Sequence, residues 1–114
     1  MSTQNEVRLI GNLGADPQIK PLENGGAIAS FSVATTEKIK STTGEVSERT
    51  SWHRVVVFGK LVEIVQSNLK KGSKVLLLGS LRTRNYTDKQ GHEVYVTEIV
   101  LDSCYLLDIK KKGE

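Results

Sequence analysis

Only once along this chain does the apolar spacing leave the two-residue period of a β-strand. Leu61, Ile64, Val65 and Leu69 recur at the spacing of one helix face, and Gly72 after Lys70-Lys71 reads as the stop of that helix. Everything else is short β-rich runs punctuated by turn signals. Residues 6–13 form the first run, which passes through Gly11-Asn12-Leu13-Gly14 to Asp16-Pro17. Asn24-Gly25-Gly26 is a hairpin signal that leads into residues 27–36. There Ala27, Ala29, Phe31, Val33 and Thr35 share one face, with Ser30, Ser32 and Ala34 opposite. The third run covers residues 49–59, the fourth 74–86 and the fifth 93–107, with Asp88-Lys89-Gln90-Gly91 turning between the last two. Residues 37–48 are polar, turn at Thr43-Gly44 and read as a mobile hairpin loop.

Five strands with a helix between the third and fourth predict an all-β architecture, the five-stranded Greek-key barrel of the OB-fold. Gly11, Gly59 and Gly79 fall in or at the ends of strands, where a small barrel bends. At 114 residues the chain suffices for one domain with a real core, expected over residues 1–107. The charged tail 108–114 is expected to be disordered.

The third run carries the chemistry. In Ser51-Trp52-His53-Arg54-Val55-Val56-Val57-Phe58 the alternation puts Trp52, Arg54, Val56 and Phe58 on one side and His53, Val55 and Val57 on the other. A face with two rings and a guanidinium suits flat, anionic partners, because bases stack on rings while cations hold phosphates. One such strand alone could equally bury its rings in a core. The fourth run repeats the arrangement, however. Val75, Leu77, Gly79 and Leu81 form a core row, and Arg82, Arg84 and Tyr86 share the opposite face. Two aromatic-plus-arginine stripes together favour binding of nucleic acid.

Net charge alone would not say so. Sixteen Lys and Arg against thirteen Asp and Glu give only +3, so placement matters more than the sum. Lys20, Lys38, Lys40, Lys60, Lys70 and Lys71 flank the turns and helix ends and extend the basic footprint. Lys110-Lys111-Lys112 reads as a solvated tail.

Catalysis finds little support. Two histidines and the single cysteine show no metal-ligand spacing, so no metal and no cofactor is expected. Cys104 in its apolar strand reads as a small buried residue, and the scattered carboxylates do not suggest a nuclease centre. With one cysteine no intrachain disulfide can form, the polar N-terminus is not a signal peptide, and no apolar run is long enough to span a membrane. A soluble cytoplasmic protein without enzymatic activity is expected.

At this point the motifs resemble a known family. Gly11-Asn12-Leu13-Gly14, Asp16-Pro17, Asn24-Gly25-Gly26, Thr50-Ser51-Trp52-His53-Arg54-Val55-Val56, Phe58-Gly59-Lys60-Leu61, Lys71-Gly72-Ser73 and Leu81-Arg82-Thr83-Arg84 are similar, in order and spacing, to bacterial single-stranded DNA-binding proteins over about residues 5–107. The resemblance implies an OB-fold, homotetramers or dimers, and sequence-tolerant wrapping of single-stranded DNA in replication, recombination and repair. By position it implies that Trp52 and Phe58 stack bases, as does Tyr86 where the family commonly has Trp. Arg54, Arg82, Arg84, Lys20, Lys40, Lys60 and Lys71 would face phosphates. Ile39 departs from the pattern, standing in a loop where an aromatic is frequent.

His53 corresponds to a position near subunit interfaces, and an exposed first strand around Val7 and Leu9 is expected to pair with a neighbouring copy. Family members usually continue into a linker with an acidic tip that recruits other enzymes. This sequence ends at Lys110-Lys111-Lys112-Gly113-Glu114, which reads as a short or truncated form with no recruitment implied. Three other readings stay open: a dimeric primosomal replication protein, a protein-interaction scaffold that buries Trp52, and single-stranded RNA binding as in cold-shock proteins.

Overall fold

The computed structural model describes residues 4–107, so the tail 108–114 lies outside the described residues. Six strands and one helix follow in order: β1 (Val7–Leu13), β2 (Gln18–Pro21), β3 (Ala27–Lys40), β4 (Val46–Phe58), α1 (Leu61–Asn68), β5 (Lys74–Thr87) and β6 (Glu93–Leu106). The sheet order is β1-β5-β6-β4-β3-β2, and a further β1–β3 pairing closes β1, β5, β6, β4 and β3 into a five-stranded barrel. The barrel expected from the sequence is therefore present, with the helix leaving the end of β4 and leading into β5.

Closure brings backbones very near each other. A Cβ on Gly11 would come within 2.3 Å of the Ala34 carbonyl oxygen, and one on Gly79 within 2.3 Å of the Val100 carbonyl oxygen. Both positions need the missing side chain, because the obstruction is backbone rather than a movable side chain.

The inward rows fill the barrel. Ala29, Phe31 and Val33 of β3 meet Val55 and Val57 of β4, Val75 and Leu77 of β5, Ile99 and Leu101 of β6 and Leu13 of β1, all buried. Helix α1 covers this core with Val62 and Val65, joined by Leu69 just past its end. Eight residues are too few for a helix to be stable in isolation, so packing holds it in place.

Several expectations need correction. β2 was missed: four residues ending in Pro21 pair only with β3, on the outer edge of the sheet, where a missing N–H is tolerated. Residues 37–48 are not chiefly a loop. The β3–β4 ladder continues from Thr36 opposite Thr50 to Lys40 opposite Val46, and only residues 41–45 turn. Beyond the barrel both faces of this arm meet solvent, so no apolar alternation marks it.

Leu81 is 49% exposed rather than core. β1 pairs β5 only as far as Val7 opposite Gly79, which leaves Leu81 at the rim. There the Asn5 side chain both donates to the Leu81 carbonyl and accepts from its N–H, at 2.8 Å each. On the helix Val62 is buried while Ile64 is exposed. The helix ends at Asn68, so Lys70, Lys71 and Gly72 belong to the following turn, where the Gly72 N–H donates to the Leu13 carbonyl at 2.9 Å.

Leu77, 1% exposed at the centre of the barrel, gives the direct test of this packing. Leu77→Ala should lower the unfolding free energy by about 2–5 kcal/mol, read by denaturant titration. A cost below about 1 kcal/mol would contradict a close-packed barrel interior.

Candidate nucleic-acid interface

The two stripes meet because of strand order. β4 lies parallel to β6 with Val55 opposite Ile99 and Val56 opposite Val100. β5 runs antiparallel to β6 with Arg82 opposite Glu98, Arg84 opposite Val96 and Tyr86 opposite Val94. Alternation then puts Trp52, Arg54, Val56 and Phe58 of β4 on the same outer surface as Arg82, Arg84 and Tyr86 of β5, with β6 between them.

The residue at the centre is one the sequence reading passed over. Glu98 is only 2% exposed, yet it lies beneath three arginines. Arg54 donates from Nε to its Oε2 at 3.3 Å, Arg82 from Nη2 to Oε1 at 3.0 Å and Arg84 from Nε to Oε1 at 3.1 Å. The three guanidinium side chains remain 52%, 45% and 44% exposed, against 1% for the carboxylate. Burial pushes the Glu98 carboxyl up, but the Arg82 and Arg84 hydrogen bonds, the Arg84 charge and the Arg54 hydrogen bond outweigh it, so it titrates below the ordinary 4.5. Three cations around one anion leave two positive charges in excess at the surface.

Two of these arginines also hold rings. The Arg82 Cζ lies 5.2 Å from the Phe58 ring centroid, and that of Arg84 5.9 Å from the Tyr86 centroid, within cation–π range. Trp52 is placed differently. A Cβ on Gly14 would come within 2.5 Å of the Trp52 Cζ3, so the indole rests on bare backbone there. Contact on one side with solvent on the other leaves Trp52 62% exposed, Tyr86 47% and Phe58 39%.

Lys20 and Ser30 join Arg54, Phe58, Arg82 and Arg84 in lining a groove of about 260 Å³. Arg54, Arg84, Tyr86 and Val96 line the next depression. Lys60 shares a wider cleft with Phe58, Leu22 and Val62. Lys40 and Lys71 sit further out: Lys40 is opposite Val46 at the end of the β3–β4 arm, and Lys71 is in the turn after α1, its backbone N–H bound to Asp16 Oδ1 at 2.8 Å. Ile39 lies within β3 opposite Ser47, not in a loop, and its parity puts it on the face away from Trp52.

The residues expected at subunit contacts separate. Val7 and Leu9 pack, half-buried, against the core, while Arg8 and Ile10 turn outward. Ile10, 50% exposed, stands opposite Leu76, which in turn pairs with Tyr105, 54% exposed, giving an outward apolar row. Among the described residues, β1 from Val7 to Gly11 pairs on one side only. His53 is half-buried on the face away from Trp52, its Nε2 2.9 Å from Thr35 Oγ1.

Cys104 is half-buried, and burial pushes its thiol up to about 11, which keeps it protonated and unreactive. No group of three or more His, Cys, Asp and Glu side chains among the described residues could hold a metal ion. No helix there is long and apolar enough to cross a membrane.

The chain matches the model of the single-strand binding protein family over residues 4–107. It belongs to that family. It is 48% identical over 112 residues to single-stranded DNA-binding protein 1 of Xylella fastidiosa (strain 9a5c), covering 97% of this chain and 82% of that protein. The fold matches that of the Plasmodium falciparum SSB in its complex with ssDNA, with a TM-score of 0.86 and 36% identity over 95% of this chain and 98% of that one. As a member of the single-strand binding family, the chain is a binding protein rather than an enzyme.

Two tests follow from this geometry. A carboxyl whose folded pKa is depressed stabilises the fold fully above its unfolded value and loses that contribution as the pH falls through the folded one. Stability of the native protein should therefore fall more steeply below about pH 4.5 than that of Glu98→Gln, as followed by circular dichroism. Gly14→Ala should displace the Trp52 ring and shift its emission while the barrel still unfolds cooperatively; an unchanged spectrum would show that the indole does not rest on Gly14.

Proposed function

We propose that this protein binds single-stranded DNA without strong sequence preference and so protects and organises it during replication, recombination and repair. The observation that supports this most is the joining of three exposed rings, Trp52, Phe58 and Tyr86, to three half-exposed guanidiniums on one face. Each base stacked on a ring is worth about 1–3 kcal/mol and any base serves, because every base has a π-face. Arg54, Arg82, Arg84, Lys20 and Lys60 hold the backbone phosphates along the groove, and Lys40 and Lys71 extend the path to its ends. Duplex DNA hides its base faces, so stacking selects the unpaired strand.

Assembly with further copies of the same chain supports the same role. The unpaired side of β1 offers the backbone groups of Arg8 and Ile10, so the strand that carries Val7 and Leu9 is open to edge pairing, and the outward row of Ile10, Leu76 and Tyr105 supplies an apolar face on which two such dimers join as a homotetramer. His53 is retained as an interface candidate. The protein is placed in the cytoplasm with the nucleoid, where single strands arise.

Trp52 is the only tryptophan and therefore reports on its own site. Titration with oligo(dT) should quench its emission, and raising the salt should weaken binding with a slope near −0.7 per neutralised phosphate. Trp52→Ala should cost about 1–3 kcal/mol of affinity. Unchanged emission together with no gel shift would reject the stacking surface, and a monomeric mass by light scattering would reject the assembly.

A further inference from the structure

An acidic residue at the centre of a surface for a polyanion looks adverse, and its placement decides whether it is. We infer that Glu98 is the positioning residue of this surface. Its single carboxylate fixes three guanidiniums in poses ready for phosphate and, through two of them, fixes the rings of Phe58 and Tyr86. This rests on the single-strand reading given above.

Register makes the arrangement hard to obtain in any other way. Glu98 lies directly opposite Arg82 on β5, and the parallel β4–β6 register, with Val56 opposite Val100, sets Arg54 beside it from the other strand. One oxygen serves Arg54 and the other serves both Arg82 and Arg84, so a single side chain ties strands that share no ladder of their own. No buried side-chain nitrogen or oxygen among the described residues lacks a hydrogen-bond partner, so the cluster is fully satisfied.

What each arginine gives up is small. Arg54 and Arg84 each spend only the Nε–H on Glu98, and Arg82 spends hydrogens of one terminal nitrogen. A guanidinium has five N–H donors, so most of each fork stays available on the half-exposed outer side. Ordering a long side chain on binding carries an entropic cost, and a guanidinium already anchored has paid most of it. Arg82 and Arg84 are also the cations over Phe58 and Tyr86, so the carboxylate fixes where the rings lie.

Two views of Glu98 predict opposite signs. If it only repels phosphate, Glu98→Gln removes a negative charge, binds oligo(dT) more tightly and steepens the salt dependence. If it positions the arginines, the same variant frees three guanidiniums and binds at least about tenfold more weakly at physiological salt, without a steeper slope. Glu98→Asp keeps the charge but is one methylene too short to reach both flanking strands, and should fall between the two. Binding is compared at a temperature where circular dichroism shows all three proteins fully folded, which removes loss of fold as a cause.

A second measurement needs no DNA. The guanidinium Nε–H groups of Arg54 and Arg84 should give resolved ¹⁵N-correlated NMR signals at neutral pH in the native protein, and Glu98→Gln should lose them through exchange with water. Retained signals in Glu98→Gln, or tighter or unchanged binding, would overturn the inference. If the native protein did not bind oligo(dT), the single-strand reading would fall, while the Nε–H signals would still decide whether Glu98 orders the arginines.

Discussion

The short parallel contact between β4 and β6 governs everything on the outer surface. It consists of Val55 opposite Ile99 and Val56 opposite Val100, and it is one of the five strand pairings that run round the barrel. Because side chains alternate along a strand, fixing those two pairs fixes all their neighbours. Val55 and Ile99 go into the core, and two residues before Val56 and Val100 come Arg54 and Glu98, on the outside. A slip of one residue would turn Arg54 into the barrel and put His53 beside Glu98. The same register that packs the interior therefore also assembles the charged cluster, and neither can change alone.

That cluster obeys an unusual balance. A buried carboxylate loses hydration worth several kcal/mol, and pairing recovers this only where further hydrogen bonds satisfy its remaining lone pairs. Glu98 meets the condition with three charge-assisted bonds. Its partners do not share the penalty in full, because their guanidiniums stay about half in water while their stems cover the strands below. Desolvation is thus confined to the carboxylate, and the three guanidiniums proposed to meet phosphate remain hydrated.

Much of the barrel could be read from the sequence because packing leaves a periodic trace. Ala29, Phe31 and Val33 alternate with polar partners, and the structure buries all three. Trp52, Arg54 and Phe58 share an outer face for the same reason, since Val55 and Val57 between them occupy the core. The trace fails where no core lies beneath. Residues 37–40 and 46–48 are strand, but both faces are wet and their polarity imitates a loop. A helix of two turns carries too little phase to tell Val62 from Ile64. Glu98 left only a faint sign, an acid inside the run Val96-Thr97-Glu98-Ile99-Val100, and its meaning depends on the strands to either side, which no local pattern names. Tyr105 and Ile10 were overlooked because a lone exposed apolar residue is ordinary until pairing places it beside others.

On the proposed reading of this face, the placing of the rings sets the kind of strand it accepts. Trp52 and Phe58 are six residues apart on β4, roughly 20 Å at the rise of a strand, and Tyr86 stands to one side on β5. No straight line meets all three, so in the proposed mode of binding a chain stacked on these rings has to turn across the surface and open its stack at each of them. An unpaired strand does this at little cost, whereas a duplex with a persistence length of about 150 bp would have to bend sharply and expose base faces that it keeps paired and stacked. Selection against duplex therefore does not depend on reading any base. In the proposed mode it follows from rings spread over two strands and arginines held between them, which together reward a flexible polyanion whose bases are free.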